Sequence, residues 1–129
     1  MYIDTNSVEQ MEVGLIRGGK IKKRIIREQY RHAEKLLPSV ISLLASQKAT
    51  SSDLRGIAVV SGPGSFSSLR VGVTLANTFA YALRIPIIGL ESGMEISAKE
   101  IEKKITKKKK IAFVLPKYGK EPNITKKKN

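Results

Sequence analysis

The alternation of apolar and polar positions over the first thirty residues predicts three β-strands. Tyr2 and Ile3 begin a short apolar strand before a polar turn, and residues 11–17 and 20–28 supply two longer segments. Gly18-Gly19 between these segments favours a two-residue hairpin, because glycine tolerates the positive φ that such turns need. The return strand carries Lys and Arg at its outer positions, which is typical of a sheet edge.

Residues 32–47 hold the clearest helical pattern. Six apolar residues follow the i, i+3, i+4, i+7 spacing of one helix face: Ala33, Leu36, Leu37, Val40, Ile41 and Leu44. Pro38 conflicts with this pattern, since proline is well tolerated only in the first turn of a helix. The pattern therefore predicts a helix that begins near Lys35.

A second helix is predicted at residues 68–84, after a buried strand at 56–60 and a glycine-rich turn. Its apolar residues cover an arc of roughly 200°, whereas packing on one sheet needs only about 100°. They are Leu69, Val71, Gly72, Val73, Leu75, Ala76, Phe79, Ala80 and Ala82. The extra width predicts a second apolar contact beyond the sheet.

The two flanks of this arc are expected to differ. Leu69, Val73 and Ala80 are expected to face the sheet. Leu75, Phe79 or Ala82 would then stay exposed in a monomer, and an exposed apolar patch usually marks a partner site.

The residue pattern of the remaining chain predicts a strand at 85–90, a helix at 93–105 and a last strand at 111–115. The sum is an α/β domain with a mixed sheet, an N-terminal β-hairpin and two main helices. We divide the chain into that domain at 1–92, a helix and Lys-rich linker at 93–110, and a terminal strand and basic tail at 111–129.

Charge is distributed unevenly over the 129 residues. The chain has 24 Lys and Arg against 11 Asp and Glu, a formal charge of +13, and residues 99–129 contribute 12 Lys against three Glu. Such an excess suits an anionic partner such as RNA, and a solvated Lys-rich surface explains it equally. The chain has no Cys, no membrane-length apolar run and no signal-peptide pattern, so we expect a cytoplasmic protein without disulfides.

Two short segments are weak candidates for binding a phosphate. Gly62-Pro63-Gly64-Ser65 lies between a strand and a helix, where backbone N–H groups can hold an anion, but it matches neither the Walker nor the dinucleotide pattern. Asp4-Thr5-Asn6 resembles the first phosphate loop of actin-like ATPases. A tight turn and an Asx turn explain the two segments as well.

The sequence offers no catalytic residue. His32 is the only histidine, and one His without Cys cannot supply a metallopeptidase zinc set. The serines after the glycine turn lack an activating base and the G-x-S-x-G pattern. We therefore predict no hydrolase chemistry and no cofactor.

Four segments together resemble the TsaB family. "SGPGSFSSLRVGVTLANTFAYALRIPIIGLES" (61–92) is similar to its signature, which runs G-P-G-S-F-T-G-L-R-I-G and then a helix to I-P-hydrophobic-G. "RHAEKLLPSV", "SSDLRGIAVV" and "YIDTNS" resemble its H-S-E-x-L-L-P, D-L-x-x-I-A-V and I-D-T-S segments. The matches keep the family's order and cover nearly all of residues 2–92.

The resemblance implies an actin-like (ASKHA, Gcp-like) domain and a part in making N6-threonylcarbamoyladenosine at position 37 of tRNA. It implies a non-catalytic subunit that forms a heterodimer with the catalytic subunit TsaD, with TsaE in a larger complex. tRNA would be reached through that complex, and a homodimer is a further option. The expected interface residues are Leu37, Ile41, Leu44, Val71, Leu75, Phe79 and Ala82.

The chain departs from the family pattern in two ways. Ser67-Ser68 replace the usual Thr-Gly, and the chain lacks most of a second domain although "LPKYGKEPNIT" (115–125) resembles the family's terminal P-x-Y-x-R-x-P. Two alternatives stay open: an autonomous actin-like nucleotide-binding enzyme, and a basic RNA-binding module. The first lacks the second domain that closes a nucleotide cleft, and the second has Tyr118 as the only aromatic residue in its tail.

Overall fold

The computed structural model of the protein describes residues 1–29, 31–64, 66–108 and 112–118. Its strands are β1 (Tyr2–Asp4), β2 (Met11–Arg17), β3 (Lys20–Ile26), β4 (Ile57–Gly62) and β5 (Ile87–Glu91). Its helices are α1 (His32–Ser46), α2 (Phe66–Leu83) and α3 (Ala98–Lys107), and a 3-10 turn at Ser51–Asp53 precedes β4.

The strands form one mixed sheet in the order β3-β2-β1-β4-β5. β1 pairs antiparallel with β2 and parallel with β4, so that Tyr2 lies between Gly14 and Ala58. The hairpin turn has φ of 58° at Gly18 and 78° at Gly19, as the sequence predicts. The Lys-rich strand β3 is an edge, also as predicted.

The two faces of the sheet carry separate cores because strand side chains alternate. One face meets α1 and α2 and buries Ile3, Met11, Val13, Ile57, Val59 and Ile87. The other meets α3 and buries Tyr2, Ala58, Val60, Ile88, Leu90 and Ile101. Within the described ranges, no helix has the length and apolar character needed to cross a membrane.

α1 begins at His32, so the predicted start near Lys35 is wrong and Pro38 lies inside the helix. His32 is buried, and its Nε2 donates a hydrogen bond to the Ser7 carbonyl at 2.6 Å. Lys35 N also donates to the Arg31 carbonyl at 2.9 Å, which closes the first turn. These tertiary and local bonds outweigh the loss of one backbone donor at Pro38.

α3 begins at Ala98, five residues later than predicted. Ser97 is its N-cap: Glu100 N donates to Ser97 Oγ at 3.2 Å, and Ser97 N donates to Glu100 Oε1 at 3.3 Å. This reciprocal capping box fixes the helix start and leaves residues 93–96 outside the helix.

The strand expected at 111–115 does not form in residues 112–115, and residue 111 lies outside the described ranges. Asn77 instead holds Val114 by two hydrogen bonds, from Nδ2 to the Val114 carbonyl at 2.8 Å and from Val114 N to Oδ1 at 2.9 Å. Lys117 N then donates to the Ser61 carbonyl at 2.7 Å. A side-chain amide thus holds Val114 where the sequence pattern predicted a strand.

Candidate functional site

The weak phosphate-binding candidates come together where β1 ends and α2 begins. Asp4 ends β1 and Thr5 follows it, while Gly62 ends β4 and Gly64 lies in the turn that leads into α2. Ser65 lies outside the described residues. We call this region the β1–α2 junction.

Thr5 uses its hydroxyl to join the two elements of the junction. The residue is fully buried, and its Oγ1 donates to the Ser68 carbonyl at 2.6 Å and accepts from Gly72 N at 3.1 Å. A Cβ on Gly72 would collide with Thr5 Oγ1, so only glycine allows this close approach. The hydroxyl therefore has both a donor and an acceptor role inside the chain.

The glycine turn is filled by neighbouring chain. A Cβ on Gly64 would overlap the Asn6 side chain, and one on Gly62, whose φ is 118°, would meet the Lys117 carbonyl. Asn6 Oδ1 and Ser68 Oγ are buried here without a hydrogen-bond partner among the described residues. The turn thus packs against Asn6 and the terminal segment.

Asp4 makes an Asx turn, as one of the two sequence interpretations expects: Asn6 N donates to its Oδ1 at 2.9 Å. Burial raises the pKa of the Asp4 carboxyl, the Asn6 N–H acts against this, and the nearby Glu12 carboxylate adds to it. In the described part of the chain, no group of three acidic or His side chains is placed to hold a metal ion.

The predicted interface residues lie on α1 and α2. Leu37 and Ile41 are exposed by 42% and 57%, Val71, Leu75 and Phe79 are half-buried, and Ala82 is exposed. The predicted sheet-facing flank of α2, with Leu69, Val73 and Ala80, is buried. Of the flank that was expected to stay exposed, Ala82 is exposed, whereas Leu75 and Phe79 are half-buried and pack against the core.

Leu44 is a correction to the predicted interface. It is only 6% exposed and belongs to the core with Val40 and Leu43. Its position is four residues after Val40 and three after Ile41, so spacing alone places it on either face. The packing of Leu44 in the core with the sheet residues places it on the buried face.

A shallow groove of about 470 Å³ runs between α1 and α2. Its apolar lining comes from Ala33, Leu36, Leu37, Val71 and Leu75, and its polar lining from Ser67, Arg70, Thr74 and Thr78. We call it the α1–α2 groove. Thr74 and Thr78 lie three and seven residues after Val71, so helical spacing places them beside it on one face of α2.

Comparison with known proteins adds family relationships to this geometry. The family model described as TsaD, tRNA N6-adenosine threonylcarbamoyltransferase, matches residues 25–117. The chain is 30% identical to the tRNA threonylcarbamoyladenosine biosynthesis protein TsaB of Buchnera aphidicola subsp. Schizaphis graminum over 119 residues, which are 92% of this chain and 56% of the relative. It is 44% identical to the protein of the same name from Bacillus subtilis over 61 residues, 47% of this chain and 27% of that relative.

A solved structure of YeaZ from Pseudomonas aeruginosa is also similar, with a TM-score of 0.66 and 29% identity over 70% of this chain and 42% of that one. The chain thus spans about half the length of the Buchnera relative. Its mixed sheet, N-terminal hairpin and two main helices confirm the predicted actin-like, Gcp-like fold class. The chain belongs to the family that the TsaD model describes and, by its similarity to these relatives, to the TsaB proteins.

Proposed function

We propose that this chain is a non-catalytic scaffold subunit in the biosynthesis of tRNA N6-threonylcarbamoyladenosine, and that it binds the catalytic subunit TsaD. The pathway is the one named for the Buchnera and Bacillus relatives. The scaffold role fits a β1–α2 junction whose Thr5 hydroxyl bonds within the chain. It also fits the lack of a base-activated serine in the sequence.

The exposed apolar side chains beside the α1–α2 groove carry the proposal. Leu37 lines one side of the groove, and Val71 and Leu75 line the other. Ile41 lies outside this lining and is exposed on α1, four residues after Leu37. Apolar side chains this exposed gain free energy when a partner covers them, at about 25 cal/mol per Å². A helix pair of TsaD is the partner that we propose for this face.

The same face would serve a homodimer, so the two assemblies would compete for it. In the larger complex we propose that TsaE joins the heterodimer and that tRNA is reached through the complex, in the cytoplasm. The chain on its own is proposed to have no ATPase, peptidase or carbamoyl-transfer activity. Turnover that co-purifies with the chain and disappears in Asp4→Ala would contradict the scaffold role.

The test uses Ile41→Glu and Ala82→Glu in a pull-down of TsaD from the same genome. Each carboxylate would be buried without a partner in the complex, which costs several kcal/mol, so we expect binding to fall by about 100-fold or more. Both sites are exposed in the free chain, so the thermal melt should hardly change.

The matched control is Ser52→Glu, an exposed site on the 3-10 turn outside the groove. It should retain TsaD binding. Retained binding by both Ile41→Glu and Ala82→Glu would refute this interface, and loss of folding in either would show that the side chain belongs to the core. If Ser52→Glu lost TsaD binding to the same extent, the loss would come from the added charge and not from its position.

A further inference from the structure

A second groove, of about 550 Å³, lies at the end of the sheet where the β2–β3 turn meets the segment before β4 and the helix α3. Four basic residues line it: Arg17, Lys20, Lys22 and Arg55. We call it the hairpin-end groove. It lies apart from the α1–α2 groove, and the two share no lining residue.

Strand register places three of these cations on one face of the hairpin. Arg17 pairs directly with Lys20, and Lys22 pairs with Leu15 two residues before Arg17. Paired residues and residues two apart point to the same side of a sheet. Lys20 and Lys22 are therefore neighbours about 7 Å apart along β3, and the chain before β4 brings Arg55 to them.

The groove lining holds these four cations against two carboxylates, those of Asp53 and Glu102. All four cations are exposed, and none forms an ion pair with a carboxylate in the described ranges. The next residue, Lys23, is different because it pairs with Glu12 at 3.2 Å. Like charges held together repel each other, so an anion entering the groove would relieve that repulsion.

The two acidic residues that line the groove already have partners within the chain. Glu102 Oε1 accepts from Gly19 N at 2.8 Å, which fastens the hairpin turn to α3. Asp53 Oδ2 accepts from Thr50 N at 2.8 Å, which caps the 3-10 turn. Their carboxylates organise the backbone beneath the cations, and the excess positive charge of the groove remains.

The lining also indicates the class of anion. Met1, Leu44 and Leu54 form a buried floor, at 6%, 6% and 7% exposed, and half-buried apolar side chains lie beside it: Leu15, Ile16 and Ile105. The lining contains no aromatic residue on which a base could stack. Repeated phosphates need no stacking partner, because Lys and Arg neutralise their charge.

We propose that the hairpin-end groove binds the phosphodiester backbone of RNA without reading its sequence. In the proposed function tRNA is reached through the complex, whereas here this chain itself contacts the RNA. The proposal does not depend on TsaD binding, since it is tested with the chain alone.

The experiment measures binding of the full chain to a fluorescent tRNA transcript by anisotropy across a salt series. The groove variant Arg17→Gln/Lys20→Gln/Lys22→Gln should bind about tenfold more weakly or worse at low salt. The slope of log K against log salt should fall by about 2–3, since each lost phosphate contact removes about one unit. Arg55→Gln, on a separate element, should lower the slope by about 1.

The control variant Lys35→Gln/Arg84→Gln/Lys117→Gln removes the same formal charge outside the groove. It should keep most of the affinity and of the slope. An equal loss in the groove and control variants would overturn the site, because binding would then follow net charge. So would a groove variant that binds tRNA as the parent does.

A poly-glutamate competitor separates RNA from an acidic protein. We expect it to displace the transcript only weakly, because flexible carboxylates lack the charge spacing of a phosphate chain. Displacement as effective as that by unlabelled tRNA would overturn the assignment to RNA. Thermal melts of all variants should stay close to that of the parent chain, because the four cations are exposed.

Discussion

Two surfaces of α2 differ in how completely other parts of the chain cover them. At the β1–α2 junction the Thr5 hydroxyl and the absent side chain of Gly72 bring helix and strand into direct contact. Along its outer flank, α2 instead shares an open groove with α1, where Leu37 is 42% exposed. The junction is filled by packing within the chain, although Asn6 Oδ1 and Ser68 Oγ find no hydrogen-bond partner among the described residues, whereas the groove stays open.

This difference shows that a segment can resemble a known binding motif while its side chains are already engaged within the chain. Asp4-Thr5-Asn6 resembles a phosphate loop, yet the Thr5 and Asn6 side chains pack against α2 and the glycine turn. The apolar spacing on α1 is ordinary for any amphipathic helix, yet it leaves Ile41 uncovered. In this chain the distinctive motif is engaged within the fold, whereas apolar surface on α1 stays uncovered.

Truncating neighbouring leucine and isoleucine positions on α1 should give the largest contrast. Leu44→Ala removes a core side chain and should lower the free energy of unfolding by about 2–4 kcal/mol. Ile41→Ala, at a position 57% exposed, should lower it by less than about 1 kcal/mol. Urea unfolding of both variants measures this, and similar losses would mean that the Ile41 side chain is already covered in the free chain.

Adding a methyl group at the junction should have the next largest effect. Gly72→Ala in an ordinary helix would stabilise by about 1 kcal/mol, but here the new Cβ meets Thr5 Oγ1 and we expect a loss of about 1–3 kcal/mol. Thr5→Ala removes that oxygen, so Gly72→Ala should cost much less in its background. A double-mutant cycle measures the coupling, and additive losses would show that the two residues do not touch.

The smallest effect is expected at Asp4. Because burial raises its pKa, the carboxylate destabilises the folded chain above the folded pKa, and this penalty fades as pH falls toward about 4. Asp4→Asn keeps an acceptor for Asn6 N and should raise Tm slightly at pH 7, with no gain near pH 4. Melts at both pH values test this, and a lower Tm at pH 7 would show that the negative charge stabilises the junction.

Local patterns predicted most of the fold. The Gly18-Gly19 turn, the strand before the glycine turn and both main helices lie where residue spacing places them. The capping box at the start of α3 was also readable, since Ser97 and Glu100 have the required spacing, but the apolar pattern from Met94 obscured it. Errors within one element therefore came from competing local signals.

Contacts between distant residues were beyond prediction. Thr5 meets Gly72, and Asn77 meets Val114, only after the sheet has formed, so no local spacing encodes either pair. The start of α1 depends likewise on the carbonyl of Ser7, which lies far from His32 along the chain. The assignment of Leu44 failed for the same reason, because only the sheet distinguishes two equivalent helix faces.

The central position of β1 has a consequence for synthesis on the ribosome. β1 is made first, yet one of its edges stays unpaired until β4 has emerged, after β2, β3 and α1. An open strand edge can pair with other chains, and such pairings over long sequence distances form slowly. The interval before β4 emerges is therefore the period in which the nascent chain is most exposed to aggregation.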